Sequence, residues 1–380
     1  MSCFRTLRIG ATALVVALIA TDAAAGLGSD LALLSEFCLY ADCNARQAWV
    51  AHEWGQSNAA TLVEMFDYST GDEPFTVMSG SWFGIDAGKV NGSIGSGSAM
   101  IAWSPVVVQF NYASAGLDGG PRSPAGTEMD LETTRLSLSV ALDLERAFAI
   151  KGLSVGIIGY IPTDEQTLSL SMDVPDVGEI PLVDSRENVA YNLSAGILWE
   201  TGEKDWLRLG AYINGAENYM DTVQLDPDTG AMLVAHQTSN LWFSRIGTTV
   251  RPLVPLGLTA GDTPWSRFRS EIKLSTDLRV TSISVPGESV DNRADFFAGI
   301  DTLLLPDHWN PLSHYLQLSG VAGVGSEGSW GVGFGVYGRG VMEWLMCDVS
   351  YSRAPGRSLA DDIEISAVAC AVWLPIPTGG

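Results

Sequence analysis

Positive charge is scarce in this chain: 21 lysines and arginines stand against 44 aspartates and glutamates in 380 residues, a formal net charge of -23. That balance argues against a nucleic-acid partner, whose phosphates call for a basic surface. Charged residues of both signs together make up only 17%, against 46% hydrophobic. Cysteine is limited to five residues, and the spacing of Cys38, Cys43, Cys347 and Cys370 matches no zinc motif. No metal and no cofactor is expected. Long apolar runs are missing as well: after the first 25 residues nothing approaches the roughly 18 residues that a spanning helix needs. A mature chain of this kind can enter a bilayer only as strands closed on themselves, with every backbone polar group paired.

What is present begins with an export signal. Arg5 and Arg8 precede an apolar run over residues 9–20, followed by Ala23, Ala24 and Ala25. This is the pattern of a secretory signal peptide, residues 1–25, cut after Ala25. A membrane anchor is the weaker alternative, because the run is too short. Export also suits the four cysteines that remain, since disulfides form in a periplasm or at a cell surface.

After residue 74 the sequence falls into roughly ten-residue stretches that alternate apolar and polar residues, the mark of a transmembrane β-barrel. In 131–144, Leu136, Leu138, Val140 and Leu142 alternate with Arg135, Ser137, Ser139 and Ala141. In 189–200, Tyr191, Leu193, Ile197 and Trp199 alternate with Asn192, Ser194, Gly196 and Glu200. In 268–281, Ile272, Leu274, Leu278 and Val280 oppose Glu271, Lys273, Asp277 and Arg279, charges that cannot face lipid. Further on, Trp330, Val332, Phe334 and Val336 alternate with Gly331, Gly333 and Gly335, a strand face with room beside it and not a phosphate loop.

The expectation is an all-β fold, a transmembrane antiparallel barrel of about 14 strands over residues 75–380. Strands are expected to start near Phe75, Gly97, Val106, Leu131, Leu153, Asn188, Trp206, Gln237, Arg267, Asn292, Leu312, Ser329, Val341 and Asp362. With both termini in the periplasm, alternate connections should be long and surface-exposed. Residues 115–130, 162–187 and 215–236 fit as long loops. The short set is 104–105, 145–150, 201–205 and 338–340. Two connections break the rule, 252–264 by its length and 325–328 by its shortness. A soluble sandwich has no reason to segregate loop lengths by parity or to spread charge over so many inner faces.

Residues 26–74 do not alternate; 31–39 and 48–54 have helical spacing. Such a segment ahead of a barrel suits a hatch, or plug, inside it. Here the string 47–51 (QAWVA) is followed by Ser57, Asn58, Ala59, Ala60, Thr61 and Leu62. This resembles the hatch motif Asn-Pro-Ala-x-Leu of the FadL-type outer-membrane transporters for long-chain fatty acids and aromatic hydrocarbons, with Ala59 where the family has proline. The resemblance implies a short, partly helical N-terminal hatch in the lumen of a barrel of this size. It also implies passage of hydrophobic small molecules, with outer-membrane lipids and a hydrophobic solute as partners.

Parity nominates the lumen residues. Arg135, Arg208, Arg245, Lys273, Arg279 and Arg293 could hold an anionic head group. Alternatively they pair with Asp143, Glu200, Glu271, Asp277, Asp295 and Asp301 to hold the barrel's shape. Tyr212, Phe243, Phe297 and Tyr337 share the inward parity and could line an apolar pocket or pack on the hatch. Cys347 and Cys370 lie equally far from the turn at 358–359 and can face each other across neighbouring strands, with both thiols directed into the lumen. A link from Cys38 or Cys43 to the wall, or a small loop between those two, is the other pairing. A Ser–His hydrolase is disfavoured, because none of His52, His236, His308 and His314 falls beside an inward serine with an orienting carboxylate. A non-transporting surface barrel is the other rival, and no catalytic residue is assigned.

Overall fold

The computed structural model describes residues 58–68, 75–86, 91–118, 127–161, 165–174, 178–201, 206–225, 232–261, 263–284, 291–303, 316–326, 328, 330–338, 345–354 and 363–376. The signal peptide, the hatch up to residue 57, Cys38, Cys43, His52, His308 and His314 lie outside these residues.

A 3-10 helix, Ala59–Tyr68, precedes the sheet. The strands are β1 (Phe75–Asp86), β2 (Asn91–Trp103), β3 (Val106–Asp118), β4 (Thr127–Asp143), β5 (Leu153–Ile161), β6 (Glu165–Val174) and β7 (Gly178–Glu200). They continue as β8 (Leu207–Leu225), β9 (Met232–Val250), β10 (Lys273–Ser284), β11 (Asp291–Leu303) and β12 (Leu316–Gly325). The last three are β13 (Trp330–Gly338), β14 (Leu345–Ala354) and β15 (Ile363–Ile376). Two short helices sit in connections: α1 (Leu144–Phe148) and α2 (Pro264–Ser270).

All pairings are antiparallel, and they return on themselves. Each strand is hydrogen-bonded to a neighbour on both sides, β1 pairs with β15, and β3 pairs with β4 to complete the ring. β5 and β6 both lie between β4 and β7, β5 against their ends nearer the α1 turn and β6 against the rest. They are two halves of one wall position, so fifteen strands fill fourteen places around the ring. Closure gives each described strand a neighbour on both sides.

Exposure then separates the two faces. On β10, Leu274, Leu278 and Val280 are exposed while Ser275, Asp277, Arg279 and Thr281 are buried. β13 exposes Trp330, Val332, Phe334 and Val336 and buries Gly333 and Gly335. β4 and β7 follow suit, with Leu138, Leu193, Ile197 and Trp199 outside and Ser137, Ser139, Ala141, Ser194 and Leu198 inside. Apolar side chains thus cover the outer surface from strand to strand. Water would not tolerate it, since soluble monomers rarely expose apolar patches above a few hundred Å². The surface is that of a membrane barrel, oily outside and polar within.

Three sequence expectations are corrected. Residues 162–187 and 215–236 are mostly strand, not loop: β6, the first half of β7, the end of β8 and the start of β9 occupy them. β7 is 23 residues long, which at about 3.3 Å per residue far exceeds the apolar band, so these strands continue beyond the bilayer. There the neighbouring ladder holds the backbone, and the Asp, Pro and Gly scattered through 162–187 and 215–236 make these stretches read as loop. The strand expected from Arg267 begins at Lys273, because Thr263 and Ser266 form a capping box around Pro264 and start α2 instead.

A closed barrel resists detergent until heated. The purified protein should migrate faster on a gel when unheated than when boiled; identical mobility in the two lanes would contradict the closed ring.

Candidate functional site: the lumen and its helical plug

The helix Ala59–Tyr68 lies against the inner wall formed by β2, β3, β4, β5 and β7. Asn58 organises its start. The Asn58 side-chain oxygen accepts from Ala60 N at 3.1 Å, and its carbonyl accepts from Thr61 N at 3.1 Å and Thr61 Oγ1 at 2.8 Å. That is helix capping, and the family's proline would fall at the first helical position, where Ala59 stands here and no N–H partner is needed. The cap also reaches the wall: Asn58 Nδ2 donates to the Ile197 carbonyl at 3.2 Å.

The wall makes room for this turn by omitting side chains. A Cβ at Gly196 would strike the Asn58 side-chain oxygen, and one at Gly156 would strike the Ala59–Ala60 backbone. Below this notch Leu62 and Phe66 pack with Met100, Ala102, Val107, Ala141 and Ile158. Burial of an aliphatic side chain such as Leu62, fully enclosed here, is worth about 1.5–3 kcal/mol. At the helix's other end the Arg146 guanidinium of α1 stacks 4.4 Å over the Phe66 ring, tying plug to rim.

A second sector of the lumen, β7 to β11, carries charge. Arg208 pairs with Glu200 at 2.6 Å, Arg245 with Asp277 at 2.9 Å, Arg279 with Asp295 at 2.6 Å and Lys273 with Asp301 at 3.7 Å. Antiparallel register sets Arg208 opposite Glu200, Lys273 opposite Asp301 and Arg279 opposite Asp295, while Arg245, opposite Arg279, reaches Asp277 diagonally. The Arg245–Asp277 side chains are 1% and 0% exposed. Ions so deeply placed persist only as partners, since desolvation of either alone is costly. Arg293 and Tyr212 are buried in the same sector. The paired reading of the lumen cations therefore describes Arg208, Arg245, Lys273 and Arg279.

Phe297 borders a third sector. Its ring is flanked by the guanidiniums of Arg245 and Arg279, 5.2 and 5.8 Å from its centroid, and packs on Val321. A Cβ at Gly323, its register partner, would collide with the ring. Beyond Gly323 the inner face carries Gly331, Gly333 and Gly335. The helix packs on one side of the lumen, ion pairs cross another, and glycines recur on this one beside Val321 and Ser319.

The side chains of Arg135, Phe243 and Tyr337 are outside the described set; their backbones lie in β4, β9 and β13, with Arg135 opposite Ala113, Phe243 opposite Thr281 and Tyr337 opposite Gln317. Cys347 and Cys370 are direct register partners. Their side chains, expected to face the lumen, lie outside the described set. Position 347 pairs with Val336 and shares parity with Val349, both exposed on the outer face. The notch glycines Gly156 and Gly196 escaped the sequence reading, because a glycine on an inner face gives no hint of what leans on it.

The closed wall and inward-docked helix define the class, a plugged membrane β-barrel. No protein-family model matches the chain, and no curated protein does. Among solved structures it is similar to the CymD monoaromatic hydrocarbon channel, at 10% identity and TM-score 0.48 over 87% of this chain and 93% of that one. It is similar to the Pseudomonas putida toluene transporter TodX at 10% identity and TM-score 0.46, over 84% and 92%. A Pseudomonas aeruginosa FadL homologue is similar at 11% identity and TM-score 0.45, over 84% and 91%.

Two outcomes are expected. Arg245→Ala strands Asp277 without its buried partner and should cost about 3–5 kcal/mol in urea unfolding of the detergent-solubilised barrel, while Arg245→Met with Asp277→Leu should recover most of it. An equal loss in single and double variants would refute the pairing. Gly156→Ala with Gly196→Ala should leave the strands intact but lift the capped turn from its notch, raising single-channel conductance several-fold; unchanged conductance would mean that the notch does not hold the plug.

Proposed function

We propose that this protein is a passage for small hydrophobic molecules across a bacterial outer membrane, gated by the segment that precedes the barrel. Residues 26–74 act as the hatch and 75–380 as the wall, after removal of a signal peptide, 1–25. The observation that carries the reading is the unequal filling of the lumen. A capped helix is seated against one side, and the opposite inner face carries Gly323, Gly331, Gly333 and Gly335 beside the buried ring of Phe297.

A solute crossing such a barrel meets apolar and bare backbone surface once the hatch moves. Arg208, Arg245, Lys273 and Arg279 already hold carboxylates, so they favour a neutral solute over one that needs a cation for its head group. Phe297 and Tyr212 offer the aromatic contact, and Phe243 and Tyr337 extend it by parity. Arg135 and Arg293 share the inward parity of these cations. We assign a cross-strand disulfide to Cys347 and Cys370, whose register suits one, clamping the last hairpin on its outer side.

Uptake tests the proposal. Cells carrying the full-length gene should take up a radiolabelled alkylbenzene several-fold faster than cells with an empty vector, with a smaller gain for a long-chain fatty acid. Equal rates for the alkylbenzene would favour the non-transporting barrel.

A further inference from the structure

One part of the described chain is neither wall nor plug: the connection between β9 and β10, residues 251–272. It belongs to the rim that also carries α1 and the tight turn at 104–105, the short-turn end of the barrel. Although it contains no strand, it is well hydrogen-bonded. Val254 N donates to Arg251 O at 3.1 Å, Gly257 N to Val254 O at 3.0 Å and Leu258 N to Leu253 O at 3.1 Å, before the Thr263 cap starts α2. Arg251 N donates to Trp206 O at 2.7 Å and fixes the base of the turn to β8.

This ordered segment nevertheless exposes large apolar groups. Leu256 is 68% exposed, Leu258 47% and Trp265 45%, and Trp265 stands edge-to-face with Phe268. A structured turn that presents such side chains is built to be covered. Two observations identify the cover. First, the patch is continuous with the oily wall: the strands on either side expose Ile246 and Leu274, and Trp206 is exposed at its base. Second, its charge runs against the chain's. In a protein of net charge -23 this connection carries Arg251, Arg267 and Arg269 against Asp262 and Glu271. Arg267 is exposed, and Arg269 is held on α2 by its bond to the Trp265 carbonyl.

We infer that residues 251–272 lie on the leaflet bordering the short-turn end, with Leu256, Leu258 and Trp265 among acyl chains and Arg267 and Arg269 on anionic phospholipid phosphates. Indole rings settle at the boundary of hydrocarbon and water, and arginine extends from there to a phosphate. An amphipathic segment with basic residues beside its apolar face binds anionic lipid in preference to zwitterionic lipid. The inference rests on the membrane reading of the barrel but not on what passes through it.

The test uses the full-length protein in vesicles of phosphatidylcholine with a minority of phosphatidylglycerol, brominated near the glycerol end of the acyl chains. Wild-type tryptophan fluorescence should be quenched more than that of Trp265→Phe. Native mass spectrometry should find retained phosphatidylglycerol enriched at least twofold over its share of the vesicle, falling to parity in Arg267→Gln/Arg269→Gln. Leu256→Ser, at an exposed position, should weaken quenching of Trp265 without altering heat-modifiable migration. Equal quenching of wild type and Trp265→Phe, or unchanged enrichment in the arginine variant, overturns the inference. Absence of all quenching would instead overturn the membrane reading itself, so the two failures are distinct.

Discussion

Everything in this structure depends on pairing the backbone where no water can do so. A strand in hydrocarbon must give each N–H and C=O a partner from its neighbours, and a sheet can do this for every strand only by closing. The contact of β3 with β4 and of β1 with β15 satisfies that demand. Once the ring is closed, parity along each strand is no longer free. One slip would turn Arg279 and Asp277 into the lipid and Leu278 into the lumen.

The same closure creates a confined interior, and the residues there divide it among themselves. On one side the helix after Asn58 settles into a wall from which Gly156 and Gly196 have withdrawn their side chains. On another, antiparallel register lines up acids with bases, so the cations are neutralised by the wall that carries them. Phe297 stands where the ion pairs meet the glycine face, its ring touched by two guanidiniums and resting over Gly323. Among the described residues, Arg208, Arg245, Lys273 and Arg279 each face a carboxylate.

Much of this was legible before the fold was known, and the reasons are local. The outward sets Leu274, Leu278 and Val280, or Val332, Phe334 and Val336, are written in period two, and lipid enforces that period. Where lipid no longer acts, the pattern weakens. The outer half of β7 is paired in the ladder with β6, and its Gly178, Pro181 and Asp184 resemble a loop. α2 was missed for a different reason: its cap is two side chains, Thr263 and Ser266, inside a stretch that also alternates well enough to pass for strand. At positions 347 and 370 the separation was readable, and the two are register partners.

The sequence by itself determined that the chain forms a membrane ring of strands and that a hatch-like motif at Asn58 to Leu62 stands ahead of it, because alternation and motif are short-range properties. Which wall the helix meets, which carboxylate each cation finds and which face the two register-paired cysteines take were decided only in the tertiary structure. Those facts depend on register between strands far apart in the chain, and register is a property of pairs that no single segment contains.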